Sequence, residues 1–414
     1  MAGPPTISAF PPDRDGLRSL SAAEISARVN AGEVSALEVV ESHLAAAADA
    51  AEHLHVFITL CPERAIDRAR QGLSGPLAGV PLLPKDMFDT AGVRTTRGSG
   101  VFRDRVPHRT AWAVERLEAA GAVVIGKANQ HEFAWGVTSQ NPHYGNVVNP
   151  VHPDLTPGGS SGGDAAALAA RLCALGLATD TGGSIRLPSA CCETVGFKPS
   201  WGSVDVAGCF PLAPSFDTIG PMARTVRDCA LAFSVLVDQP VPEPRLRGLT
   251  VGLLELLPEQ DRLESLGARL VDCRLPEPDA DLSIVMQVES AITHRNLYPR
   301  LRDGYGEDVR AKLDAGRAIS AIDYHEAKLA LRRWRRRTQT EIDVDLLVSP
   351  TLGIPVPAAD AYEPSIRDQL GRNTRPFNYL GWPAIAIGNL QIAGRNDQVV
   401  LAAALAWEAA GASR

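Results

Sequence analysis

The first apolar rhythm in the chain is helical. Residues 21–50, SAAEISARVNAGEVSALEVVESHLAAAADA, repeat apolar side chains three and four apart, which predicts two successive helices. Ser21 with Glu24, and Ser35 with Glu38, have capping-box spacing, in which each partner's side chain satisfies the other's backbone N–H. Residues 62–72 read as a third helix, and Gly75-Pro76-Leu77-Ala78-Gly79-Val80-Pro81 as turn material. A short apolar run between prolines, Pro81-Leu82-Leu83-Pro84, then meets Lys85-Asp86-Met87-Phe88-Asp89. Residues 111–120 form an amphipathic helix and 121–126 a buried strand, an αβ unit of the kind that builds a mainly parallel sheet. Residues 127–135 follow as a loop or helix start, and 140–145 as irregular structure.

The same alternation continues downstream. An alanine-rich helix runs from Asp164 and is ended by Gly176, and residues 177–180 are a short strand. After a glycine- and proline-rich passage, 225–236 is a helix, 247–254 and 268–273 are strands, and 283–340 is helical and charged. Residues 345–350 are a strand, 375–394 a loop with a last strand, and 399–410 the closing helix. Residues 1–15 read as a proline-rich arm, packed on the surface or left loose. With no internal repeat, linker or composition break, the pattern predicts one α/β domain over 1–414.

Composition narrows the function. A hydrophobic content of 45% and a charged content of 21% allow a sizeable core. The net charge of −7 argues against a general affinity for nucleic acid or anionic lipid. The stretch LALRRWRRRT at 329–338, with five arginines, therefore reads as a solvated helix face. Seven cysteines, an odd number without CxxC spacing, give neither a disulfide framework nor a zinc site and suit a reducing compartment. No basic segment leads an apolar core at the N-terminus, and no uncharged run reaches the ~20 residues of a membrane span. The expectation is a cytoplasmic protein with no metal, cofactor, nucleic-acid or membrane partner.

Candidate chemistry concentrates at residues 156–198, TPGGSSGGDAAALAARLCALGLATDTGGSIRLPSACCETVGFK. Two glycine-flanked serine clusters, 158–163 and 181–184, bracket the alanine-rich helix. Glycine around a hydroxyl marks backbone in close approach or at positive φ. A phosphate cradle is one reading, but the P-loop lysine is missing and Asp164 would repel phosphate. Gly158-Gly159-Ser160-Ser161-Gly162 satisfies G-x-S-x-G, yet Thr156-Pro157 is a poor strand end and only His294 and His325 lie downstream. Purely structural glycines remain a reading. The fourth pairs the serines with Lys85, since a neutral buried lysine is a base for serine. Cys191-Cys192 suggests a thiol nucleophile, but small buried packing is the reading preferred.

The same residues resemble the amidase signature family. Gly158-Gly-Ser-Ser-Gly-Gly163, the 24-residue step from Ser160 to Ser184, and Asp180-Thr-Gly-Gly-Ser-Ile-Arg186 carry the likeness. So do Pro81-Leu-Leu-Pro-Lys85-Asp86, Glu132-Phe133-Ala134, Gly145, Asn149-Pro150 and Gly196-Phe-Lys-Pro199. It runs from about Leu17 to Val237, with a signature core at 75–237, and resumes at Pro376-Phe377-Asn378 through Leu390-Gln391. Residues 240–375 match only in layout and are the variable, substrate-facing part; 376–410 supply the C-terminal strand and helix.

The resemblance implies an α/β fold, a large mixed twisted sheet with helices on both faces. It implies a Ser–cis-Ser–Lys triad: Ser184 the nucleophile, Ser160 the bridge on a cis Gly159–Ser160 bond, Lys85 the base. Backbone N–H groups of Thr181, Gly182, Gly183 and Ser184 would form the oxyanion hole, where a side chain at 182 or 183 would obstruct the substrate. Ser161, Asp180 and Arg186 would support it. Met87, Phe88, Phe133 and Trp135 are candidates for lining the site, with core packing the alternative for each. The short link from Gly388 to Leu390 suggests an open mouth. The implied partners are water and a small amide, aryl amide, ester or carbamate, urethanes included, for a monomer or homodimer. The alternatives are the amidase subunit of a tRNA-dependent amidotransferase and a non-catalytic scaffold on this fold.

Overall fold

The computed structural model describes residue 13 and residues 15–411, so most of the proline-rich arm and residues 412–414 lie outside it. The two leading helices are Ala22–Ala31 and Ala36–Leu54, each opened by a complete capping box. Ser21 Oγ accepts from the Glu24 N–H at 3.2 Å while Glu24 accepts from the Ser21 N–H at 2.8 Å. Ser35 and Glu38 repeat the exchange at 3.1 and 2.8 Å.

The strands, in chain order, are β1 (Phe57–Leu60), β2 (Pro81–Pro84), β3 (Val123–Val124), β4 (Gly126–Ala128), β5 (Leu175–Asp180) and β6 (Val195–Lys198). They continue with β7 (Thr218–Ala223), β8 (Thr250–Leu253), β9 (Arg269–Asp272), β10 (Leu346–Pro350), β11 (Ala384–Ile387) and β12 (Leu390–Gly394). Among the described residues ten of these form one mixed sheet in the order β3-β2-β5-β7-β6-β11-β12-β10-β8-β9, and β1 pairs with β4 apart from it. The flanks are parallel (β3/β2/β5 and β10/β8/β9) and the middle is antiparallel.

Alternation along the strands distributes side chains to two helical layers. Leu82, Val124 and Leu177 join the core beneath helices Ala22–Ala31, Trp112–Ala119, Val226–Val237 and Asp397–Gly411. Their neighbours Leu83, Val123 and Ala178 face helices Ala36–Leu54, Pro62–Ala69 and Gly162–Ala169. At the far end Leu347, Ala384 and Ala393 pack under helices Ser283–Thr293 and Ala321–Glu341. This is the α/β arrangement expected, with helices on both faces.

Three local expectations change. The alanine-rich helix closes at Ala169, Arg171 turns at φ 57°, and Gly176 lies inside β5. A Cβ at 176 would stand in ordinary contact with Asp164 and Met222 at 3.4 Å, so this glycine is a strand residue and does not cap the helix. Residues 375–394 hold a helix, Arg375–Leu380, and an antiparallel hairpin rather than one strand. Strands β6 and β7 had no periodic signal: β7 reads Thr-Ile-Gly-Pro-Met-Ala, and proline normally argues against an interior strand. Gly220 is required there because a Cβ would stand 2.0 Å from the Phe197 carbonyl oxygen.

Candidate active site

Lys85 follows directly on β2, an interior strand between β3 and β5. Its own N–H donates to the Leu177 carbonyl at 2.9 Å, which holds the residue in the sheet while its side chain is fully buried. Nζ is ringed by three hydroxyls: Ser160 Oγ at 2.7 Å, Ser161 Oγ at 2.9 Å and Thr179 Oγ1 at 3.1 Å. Burial pushes the amine down to about 8, against the opposing pull of Asp164.

Ser160 reaches that position on a tightly held loop. Gly158 adopts φ 72°, and a Cβ there would fall 2.9 Å from Pro188 Cα. The Gly159–Ser160 peptide bond is cis. The Ser160 carbonyl accepts from the His131 N–H at 3.1 Å and Ser139 Oγ at 3.2 Å. Next along, the Ser161 N–H donates to the Ser184 carbonyl at 3.3 Å, which ties the two serine clusters together.

The second cluster is built on a buried ion pair. Asp180 ends β5, and its carboxylate accepts from the N–H groups of Gly183 (2.8 Å) and Ile185 (3.1 Å) and from Arg186 Nη2 (2.9 Å). Burial by itself would raise the Asp180 carboxyl, but the Arg186 guanidinium overrides it and holds the group well below the usual carboxylate range. Arg186, equally buried, reaches on to the Thr374 carbonyl (2.9 Å), Gln391 (2.8 Å) and Asn378 (2.6 Å). Of the four amides expected to face an oxyanion, that of Gly183 is thus donated to Asp180. The glycine itself answers to Thr374: at φ 130°, a Cβ on Gly183 would lie 2.3 Å from Thr374 Oγ1, which itself donates to the Gly182 carbonyl at 2.8 Å. A Cβ on Gly182 would meet nothing closer than Arg375 Cγ at 3.7 Å. Gly183→Ala is therefore expected to shift the loop and lower kcat by about 100-fold, the scale of a displacement of about 1 Å at a reacting group; steady-state kinetics beside Gly182→Ala, the milder change, checks it.

The comparisons with known proteins agree on one family. The profile of the Amidase family matches residues 38–245. A glutamyl-tRNA(Gln) amidotransferase component from Methylococcus capsulatus is 36% identical, over 80% of this chain and 81% of its own length. The chain belongs to the amidase signature family. A putative amidase, AmiD, of Mycobacterium bovis is 33% identical over 92% of this chain and 90% of its own. A crystal structure of an amidase superposes with a TM-score of 0.85 at 30% identity, covering 95% of this chain and all of that one. Membership makes the protein an amidase-type hydrolase acting on carbon–nitrogen bonds.

Ser184 of this amidase, 8% exposed, lines a cavity of about 500 Å³. Trp135, Leu187 and Met286 line it too, as do the charged side chains Asp281, Asp308, Lys312, Arg367, Asp368 and Arg375. A second cavity, about 480 Å³, lies beside the first; Met87 lines this one. Phe88 and Phe133 line neither. Phe88 is packed in the main core, and Phe133 stacks among Phe210, His294 and Tyr305.

Cys191 and Cys192 are buried, and burial pushes the Cys191 thiol up to about 12. On the arginine-rich helix, Arg333 pairs with Asp279, Arg337 with Glu341, and Arg335 donates to the Tyr379 carbonyl. Among the described residues no cluster of His, Cys, Asp or Glu is placed to hold a metal, and no helix is long and apolar enough to cross a membrane.

Sequence reasoning missed Thr179, Thr374 and Asp217, which are all polar neighbours of Lys85 or of the loop at 181–184. Thr179 was legible in principle, since it sits one residue before Asp180 on the strand that feeds the loop. Asp217, which accepts from Thr181 Oγ1 at 2.6 Å, and Thr374 lie 36 and 192 residues from their partners, beyond any local pattern.

Proposed function

We propose that this amidase hydrolyses carboxylic amides through Ser184, Ser160 and Lys85, with an acyl-enzyme intermediate. The observation that carries the reading is the fully buried Lys85 amine, 2.7 Å from Ser160 and beside the loop that presents Ser184 to the cavity. In the neutral state Lys85 draws a proton through Ser160 as Ser184 Oγ attacks the carbonyl carbon. The amides of Thr181, Gly182 and Ser184 hold the tetrahedral oxyanion. The C–N bond then breaks, and the nitrogen takes a proton from Ser160, which Lys85 resupplies. Water attacks the acyl-enzyme by the reverse route and releases the acid. The chemistry extends to aryl amides, esters and carbamates, because each presents the same carbonyl to Ser184. The reading covers the chain as one amidase domain, with water and a small amide as its partners in the reaction.

A second reading is favoured by the similarity to the Methylococcus capsulatus protein, one subunit of the glutamyl-tRNA(Gln) amidotransferase. In that role the chain would release ammonia for a partner rather than act alone. A fluorophosphonate probe tests the chemistry: the adduct is expected on the peptide containing Ser184, and an adduct elsewhere or none removes the triad. Turnover of aliphatic amides, anilides and small dicarbamates by the isolated chain favours the stand-alone hydrolase. Glutamine hydrolysis confined to a complex favours the amidotransferase reading.

A further inference from the structure

We infer that the second cavity is the subsite for the amine side of the substrate, and that it takes an apolar amine bearing an aryl or branched alkyl group. The inference rests on the reading of Ser184 as nucleophile.

Position decides which half of the substrate it receives. Both cavities are lined by Ala134, Thr181 and Leu212, so they meet at the loop that carries Ser184. The second cavity lies on the lysine side: Thr179, in its wall, has Oγ1 3.1 Å from Lys85 Nζ, and Met87 follows Lys85 by two residues. When the C–N bond breaks, the nitrogen keeps the electron pair and takes its proton from the Lys85–Ser160 relay. The leaving nitrogen must therefore face the lysine, and its substituent extends into the space on that side.

Chemistry decides what kind of substituent fits. The walls are apolar: Trp201, Val204, Val206, Phe210, Leu212 and Ile219. The buried polar side chains among them are already engaged with the protein, while Asp205 stands exposed to water at the outer wall. Thr179 accepts from Lys85, and Thr181 donates to Asp217, whose carboxylate also accepts from the N–H groups of Leu212 and Ala213 at 2.9 and 3.1 Å. Thr218 donates to the Asp180 carbonyl, Asp205 accepts from the Ala207 N–H, and the Trp201 indole donates to the Pro214 carbonyl. A polar guest would give up its water and find few vacant partners there, which costs free energy. An apolar guest gains by the same burial. The volume suits a small-molecule site. Trp201 and Val206 stay 51% and 49% exposed, large apolar surfaces left in water on this cavity's wall. The Ser184 cavity is left for the acyl group.

Three substrates separate the halves: acetamide, with no bulky group; acetanilide, apolar on the amine; and benzamide, apolar on the acyl carbon. Val206→Trp narrows the second cavity from an exposed position, and its melting curve checks the fold. The ratio of kcat/KM for acetanilide to that for acetamide is expected to fall at least about tenfold, a difference of about 1.4 kcal/mol. The benzamide-to-acetamide ratio should hold. An unchanged acetanilide ratio, or a fall in the benzamide ratio instead, overturns the subsite while leaving the hydrolase intact. Absence of both hydrolysis and Ser184 labelling in the wild type overturns the hydrolase reading and the subsite together.

Discussion

Lys85→Ala is expected to lower kcat by about 10,000-fold or more, with the fold retained. Catalytic groups that act as a unit fail together, and losing one member of a serine relay costs on that scale. A serine hydroxyl is a poor nucleophile until a base takes its proton. Among the described residues Lys85 is the titratable side chain hydrogen-bonded to Ser160 Oγ. Burial has brought its amine down to about 8, so a useful fraction is neutral near that pH. The wild-type kcat/KM should accordingly rise as pH climbs through about 8, because the unprotonated amine is the working form. Lys85→Arg keeps a cation but cannot be deprotonated in this range, so it should be equally inactive and show no such rise. Rate profiles from about pH 6 to about pH 10, with circular dichroism for the fold, check both variants. Activity of Lys85→Ala within tenfold of wild type would rule out the base role.

Arg186→Leu should be the most damaging change to stability, at about 3–5 kcal/mol. It leaves the Asp180 carboxylate buried and without its cation, and breaking one side of a buried pair costs about that much. The same change cuts the Arg186 links to Thr374, Gln391 and Asn378, so the loop bearing Ser184 keeps only part of its support from the C-terminal segment, through Thr374 Oγ1 and Asn378. Denaturant unfolding measures the loss; a change below about 1 kcal/mol would contradict the assignment of this pair as the loop's anchor. The pair also sets an acid limit. Asp180 is held below its unfolded-state value, so the unfolded chain binds the proton first as pH falls. The stabilisation is fully present above about pH 4 and drains away on further acidification. Arg186→Leu should abolish that part of the acid dependence.

Much of this was legible from local pattern. Ser21 with Glu24 and Ser35 with Glu38 announced helix starts because a capping box is closed within one turn. Val123 and Val124 marked a buried strand because both faces of the sheet are covered. The clusters around Ser160 and Ser184 were visible because glycine at φ 72° and 130° is a backbone requirement that shows in sequence. Where the signal failed, the cause was tertiary. Thr-Ile-Gly-Pro-Met-Ala has no strand pattern, yet β7 forms because β5 and β6 offer pairing on both sides. Gly176 resembled a helix stop because nothing local distinguishes a cap from a glycine inside a buried strand. Phe88 and Phe133 stand close in sequence to Lys85 and Trp135, but sequence proximity does not set which way a ring points.

The sequence by itself determined the reaction class, since it held the two serines, the lysine and the glycines that carry the family likeness. It could do so because backbone conformation at glycine and a step of 24 residues are properties of one stretch of chain. Only the tertiary structure decided that Lys85, 75 residues before Ser160, has its amine buried at 2.7 Å from that hydroxyl. It also decided that Thr374 and Arg186 clamp the Ser184 loop, and that a charged and an apolar cavity meet beside it. Those features arise from burial and from contacts between distant segments. Desolvation, which tunes the amine, and the hydrogen bonds that engage the buried polar groups of the second cavity exist only once the chain has closed around them.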